Sequence, residues 1–186
     1  MASELHVDAI KHSGGTSALT IDSSGNVNIP GHVIQTQSSV ITATTAHTTT
    51  TYTDSISATI TPKLSSSKIM VWATASLVGE ITSTTYLWFA SRLVRVVGGT
   101  TTVIFNDHTA SNSLMHGWGE RSSSGNLQSG TYDTVQFLDS PSTTSQITYK
   151  IQTAGRSSVA ISVNARSTSS TITMMEISQY WHQYLK

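Results

Sequence analysis

The sequence predicts an all-β fold: an antiparallel β-sandwich, jelly-roll-like, of about eight or nine strands, with a short N-terminal β-arm. Three observations carry that prediction. First, apolar residues recur at every second position in one run after another, as in Ile69, Val71, Ala73, Ala75 and Leu77, or Ile147, Tyr149 and Ile151. Period two puts side chains of one parity on one sheet face, so each run reads as a half-buried strand. Second, Ser and Thr make up roughly a third of the chain, far above average usage. They interleave with Val, Ile and aromatics at strand period, and Thr, being β-branched, suits a strand. Third, no segment shows a convincing helical period.

Residues 1–31 read as an arm and residues 32–186 as the sandwich. In the arm, Leu5, Val7 and Ile10 are sparse apolar positions before Gly14-Gly15. SALTIDSSGNVNIPG follows, residues 17–31. Leu19 and Ile21 alternate, Ser24-Gly25-Asn26 offers a turn, Val27 and Ile29 alternate again, and Pro30-Gly31 ends the run. A hairpin this small has almost no core. Its Leu19, Ile21, Val27 and Ile29 are therefore expected to be covered by other copies or by a docking partner. The plainer alternative is a loose N-terminal arm.

From His32 the chain turns strand-like through Val33, Ile34, Val40 and Ile41. The Thr-rich stretch Thr42 to Thr53 has few large apolar residues and reads as an edge strand or loop. Ile56, Ala58 and Ile60 alternate up to Pro62. PKLSSS then leads into the clearest strand, whose apolar face is Ile69, Val71, Ala73, Ala75 and Leu77. These two strands are expected to form a hairpin with a longer loop. Tyr86 to Val97 and Thr101 to Phe105 flank Gly98-Gly99, a strong hairpin signal because both glycines tolerate positive φ. Arg92 and Arg95 have opposite parity, so that strand is expected to lack a fully dry face.

Asn106 to Gly130 lacks any period and is the expected variable contact loop. Beyond it, Gln136 to Ile177 reads as an antiparallel meander. Its turns are Asp139-Ser140-Pro141, Ala154-Gly155-Arg156-Ser157 and Arg166-Ser167-Thr168-Ser169. Thr171 to Ile177 is apolar on both parities, as for a strand covered on both sides. Tyr180, Trp181 and Tyr184 crowd the tail and are expected to pack on a neighbouring subunit or on the domain body.

Charged residues are 11% of the chain and the formal net charge is zero. Long-range attraction to nucleic acid or to an anionic membrane is not expected. Cysteine is absent, which excludes disulfides, thiolate metal sites and thiol nucleophiles. The first residues lack the basic and apolar regions of a signal peptide, and no apolar run is long enough for a bilayer-spanning helix. The expectation is synthesis in a cytoplasm.

No catalytic, cofactor-binding or metal-binding residue is assigned. The seven histidines show no HExxH or zinc-finger spacing. His108 and His116 share one loop with Asp107 and Glu120, a possible metal cluster whose plainer reading is solvated loop side chains. Glu80, Asp107, Glu120, Asp133, Asp139 and Glu176 are scattered, and any glycosidase pair would have to converge through folding. Trp72 and Trp88 lie in strands, where packing or an interface is expected. Trp118, between two glycines, is the aromatic placed to grip a sugar. The candidate receptor-contact residues are His108, His116, Trp118, Glu120 and Arg121. The candidate oligomer or docking contacts are Leu19, Ile21, Val27, Ile29, Tyr180, Trp181 and Tyr184.

Two parts of the chain resemble phage structural proteins. SALTIDSSGNVNIPG resembles the short repeats near the N-termini of phage tail-fibre proteins. SATITPKLSSSKIMVWA, FLDSPSTTSQITYKIQ and STITMMEI resemble a β-rich domain of fibre and structural proteins of marine and cyanobacterial phages. No catalytic residues belong to that pattern, and residues 78–130 do not match it. The resemblance implies a virion protein, a homotrimeric tail fibre or receptor-binding tip that docks to other virion proteins through the arm and meets a host surface glycan or protein. A capsid decoration or head-fibre protein has the same architecture. The readings of another class are a carbohydrate-binding module or a glycan depolymerase.

Overall fold

The structure is a computed structural model that describes residues 5–23, 25, 27–29, 31–81, 86–105, 119–120, 127–155 and 159–179. The arm contributes β1 (Ala9–Lys11), β2 (Ser17–Ile21) and β3 (Val27–Asn28), an antiparallel sheet in the order β1-β2-β3. The expected hairpin is there as β2 and β3. Strand β1, whose single apolar pair is too sparse to show a period, adds to its other edge.

The body holds β4 (Val33–Ile41), β5 (Thr45–Thr48), β6 (Thr53–Ile60), β7 (Lys68–Ile81), β8 (Tyr86–Leu87), β9 (Phe89–Val97), β10 (Thr100–Phe105), β11 (Gly119–Glu120), β12 (Leu127–Asp139), β13 (Ile147–Gly155), β14 (Ala160–Val163) and β15 (Ser170–Ile177). One sheet has the order β10-β9-β13-β6. The other orders β4-β15-β7-β14-β5, with β12 on the free edge of β7. Strands β8 and β11 form a two-stranded ribbon.

The six strands of the larger sheet are four ranks. Strand β15 pairs with β7 from Lys68 to Thr74, and β14 continues along the same edge from Leu77 to Glu80. Opposite them, β4 and β5 run as one broken rank, Ile41 against Ser170 and Thr45 against Val163. The eight ranks then pair outermost with outermost: β4/β5 with β14/β15, β6 with β13, β7 with β12, and β9 with β10. This is a long antiparallel ribbon rolled up on itself, the jelly roll that the sequence predicts.

Two local expectations are corrected by this pairing. PKLSSS does not close a hairpin: β6 and β7 lie in different sheets, and the segment crosses between them. Gln136 to Ile177 is not a meander, because β12, β13, β14 and β15 never pair with one another. Alternation tells which face of a strand is dry, but backbone groups are alike at every residue and do not name the neighbour. Strand β15 is also not covered on both sides. Its even residues are buried and its odd residues half-buried on the outer face. The Gly98-Gly99 hairpin is as expected, with both glycines at positive φ between Val97 and Thr100. The Thr-rich stretch contains an edge strand, β5, and Leu127 to Gly130 belong to a strand and not to the long loop.

Between the sheets lies a core of Ile56, Ile60, Ile69, Val71, Leu77, Leu93, Ile147, Tyr149, Ile151, Ile161, Ile172 and Met174, among others. Gly79 belongs there because a Cβ would stand 2.7 Å from Phe89 Cδ1. At the open end of the sandwich, His47 Nε2 meets Thr153 Oγ1 at 2.9 Å and ties β5 to β13 across the core. Burial lowers the His47 pKa below its ordinary value. Where the β7 edge passes from β15 to β14, Ser76 loses its ladder partners. Its N–H donates to Ser170 Oγ, and its carbonyl accepts from Asn164 N–H. Ser170 Oγ in turn donates to Asn164 Oδ1, and Asn164 Nδ2 donates to Ala43 O. This buried knot satisfies the backbone at the break.

Val71 and Ile151 share the dry interior. Val71→Ala and Ile151→Ala are each expected to cost about 2–4 kcal/mol in urea unfolding, through lost burial plus a cavity. A cost below about 0.5 kcal/mol, as at ordinary surface sites, would mean that those faces look outward.

Candidate interaction surface

Of the predicted receptor contacts, His108, His116, Trp118 and Arg121 lie outside the described residues, and so do Tyr180, Trp181 and Tyr184 of the tail. Glu120 is placed by its backbone in β11, opposite Tyr86. The arm residues are brought together. Ile10 sits opposite Leu19, and Ile21 opposite Val27, so these four share one face of the small sheet, with Ile29 of the same parity as Val27. That face stays part-exposed, Ile10 at 49% and Val27 at 44%.

Of the scattered acids, Asp107 lies outside the described residues. Asp133 and Asp139 are six residues apart on β12. At about 3.3 Å per residue that is about 20 Å, well beyond the roughly 5–9.5 Å of a glycosidase pair. Asp133 accepts from Ser91 Oγ. Asp139 is held by Arg95, by the Tyr149 hydroxyl and by Ser140 N–H. Arg92 pairs outward with Gln152 and lies over the Tyr52 ring. Strand β9 thus has no fully dry face, as its two arginines imply. Among the described residues, no three His, Asp or Glu side chains gather as a metal site.

The outer face of the larger sheet is the surface that the fold offers. Its rows follow from register and parity. On β12 they are Gln128, Gly130, Tyr132, Thr134, Gln136 and Leu138; on β7, Lys68, Met70, Trp72, Thr74, Ser76, Val78 and Glu80. Thr171, Thr173, Met175 and Ile177 of β15 and Thr36, Ser38 and Val40 of β4 extend it, as do Ala160 and Ser162 of β14 with Thr48 and Ala46 of β5. In these rows only Lys68 and Glu80 carry charge, at the two ends of β7. Hydroxyls satisfy one another across strands, Ser38 with Thr173 and Thr74 with Thr134. Trp72 is 40% exposed between Gln136 and Thr173, a surface position and not a core one, while Trp88 is half-buried between β8 and β9.

At the Glu80 end this face is notched. Residues 164–169 leave the rank between β14 and β15 and rise beside Ser76, instead of turning a hairpin. The notch, of about 150 Å³, is lined by Ser76, Val78, Gly130, Tyr132, Arg166 and Thr168, among others. Gln128 and Tyr132 stand on either side of Gly130 in the outward row of β12. Arg166 Nη2 reaches across to Gln128 Oε1. Sequence periodicity could not show this, because its parts come from three ranks and meet only through register.

No family model matches the chain, and no curated protein matches it. Solved structures from infectious bursal disease virus are similar to it. A mutant VP2 in T=1 particles is 12% identical, with a TM-score of 0.32 over 81% of this chain. The Gt-strain structure is 13% identical, with a TM-score of 0.31 over 92% of this chain. This chain spans 38% to 42% of the length of those two chains. At such scores the likeness carries no part of the argument, and the jelly roll rests on the strand pairs themselves.

Proposed function

We propose that this chain is a structural subunit of a tailed-phage virion, a trimeric tail fibre or receptor-binding tip. In this reading residues 1–31 dock to the particle and the jelly roll projects towards the host. The observation that supports it is the arm. A three-stranded sheet with one apolar face and part-exposed Ile10 and Val27 is stabilised by a second layer, which in this reading another chain supplies. The resemblance of SALTIDSSGNVNIPG to tail-fibre N-termini names the setting. The charge-poor outer sheet face adds support, since burying it against a neighbouring subunit desolvates little charge. Trp72 and Leu138 at its Lys68 end are the residues expected at its centre.

The test is the mass of the full chain in solution by light scattering. Three copies of 19.9 kDa are expected, and a monomer at micromolar concentration overturns the trimer. Antibody labelling of virions then locates it: label on the tail supports the fibre, and label on capsomers replaces it with a head decoration.

A further inference from the structure

We propose that the notch between Tyr132 and the 164–169 excursion binds one pyranose ring of a glycan. This names a ligand class for the attachment reading and takes only its biological setting from it. The first argument is Gly130. It lies inside β12 and is not at positive φ, and a Cβ there would come no closer than 3.7 Å to any neighbour. Neither backbone conformation nor packing calls for glycine. A strand-interior glycine weakens a sheet, and such a position often marks where a ligand approaches the backbone closely. Its effect here is to open the row Gln128–Gly130–Tyr132 above Val78.

The second argument is the opposite wall. Asn164, Arg166 and Ser167 all hold positive φ, at 55°, 58° and 59°. Left-handed non-glycine residues persist only where the surroundings hold them. The Asn164–Ser170–Ser76 knot does so here, and Thr168 Oγ1 bonds both Ser76 Oγ and Ala165 O. The wall is thus rigid and pre-formed.

The third argument is chemical match. Tyr132 is 63% exposed and offers a ring wall over an apolar floor at Val78. Arg166 commits one N–H group to Gln128 and has others to donate, a guanidinium carrying five. A pyranose presents a C–H face and a rim of hydroxyls, which suit such a ring and such a fork. The volume of about 150 Å³ lies below the roughly 300–1,000 Å³ of drug-sized pockets, which selects a single ring. Among the described residues no acid lines the notch, and the proposal is for binding.

The experiment is a glycan array with the full chain, followed by NMR titration with glucose, galactose, glucuronate and N-acetylneuraminate. Binding to glycans ending in one of these, with the largest amide shifts at Gly130, Tyr132 and Arg166, is expected. Preference for the two acidic sugars would assign the contact to Arg166, and preference for the neutral ones to Tyr132. Gly130→Val fills the notch and suits a strand. It should leave the melting temperature unchanged or higher and weaken binding at least tenfold. Tyr132→Ala should do the same to binding, and Arg166→Gly should relax the positive φ while removing the fork. No sugar bound by the wild type, or binding untouched by Gly130→Val and Tyr132→Ala, overturns the site. A trimer that binds no sugar sinks this inference alone. A monomer that binds sugar at the notch sinks the fibre reading alone.

Discussion

Glu176→Ala is expected to remove about 3–5 kcal/mol of stability, a large part of the roughly 5–15 kcal/mol of a typical domain. Glu176 has no exposed surface, and no cation is among its bonding partners. Its Oε1 accepts from Lys63 N–H at 2.8 Å, Leu64 N–H at 3.1 Å and Ser67 Oγ at 2.7 Å. Its Oε2 accepts from Lys63 N–H at 3.0 Å and from Gln35 Nε2 at 2.6 Å. One carboxylate thereby clasps the crossover between β6 and β7 and ties it to β4. Removing it strands two backbone N–H groups and a hydroxyl beside a new cavity, and leaves the Gln35 amide with Thr61 O alone. Glu176→Gln keeps the volume but turns a donor towards these donors, so about 2–3 kcal/mol is expected. Urea unfolding checks both. An alanine cost below about 1 kcal/mol, within reach of one ordinary hydrogen bond, would show that the crossover is held by something other than this clasp.

The second large effect is at Asp139. Its carboxylate takes Arg95 Nη1 at 2.8 Å and 2.9 Å, the Tyr149 hydroxyl at 2.7 Å and Ser140 N–H at 2.8 Å. The Arg95 and Asp139 side chains are 19% and 7% exposed, so solvent screens the pair little. Asp139→Ala leaves a guanidinium and a phenol without their acceptor at the rim of the core, for an expected cost of about 3–4 kcal/mol. Tyr149→Phe removes one bond and should cost about 1 kcal/mol. The two are also separable by pH. Burial, and then Asp139, push the Tyr149 pKa above the ordinary tyrosine range. In the unfolded chain the phenol ionises near pH 10, so this contribution is present below about pH 10 and lost above it. Stability of Tyr149→Phe should therefore fall less steeply above about pH 10 than that of the wild type. Equal slopes would mean that the phenol is not buried against Asp139.

Strand faces were legible because burial is written in parity. Ile69, Val71, Ala73, Ala75 and Leu77 are all buried, as their spacing required. The β9–β10 hairpin was legible because only glycine enters positive φ without strain, and two stand together there. The notch was not. Gly130 falls at the end of a stretch with no period, Tyr132 lies in no run that the alternation picks out, and Arg166 reads as part of a hairpin turn. The clasp on Glu176 was equally hidden, since all of its donors lie more than a hundred residues away in sequence and no motif pairs them with it.

By itself, then, the sequence determined the class of fold, the dry face of each main strand and the position of the Gly98-Gly99 hairpin. Each of these depends on a side chain or a φ angle that belongs to a single residue. Only the tertiary structure decided that β6 and β7 part to different sheets, that β14 and β15 share one edge of β7, and that Gly130, Tyr132 and Arg166 enclose one space. Those follow from hydrogen bonds between backbones that are chemically alike everywhere, so the choice of partner is made by the packing of the whole core.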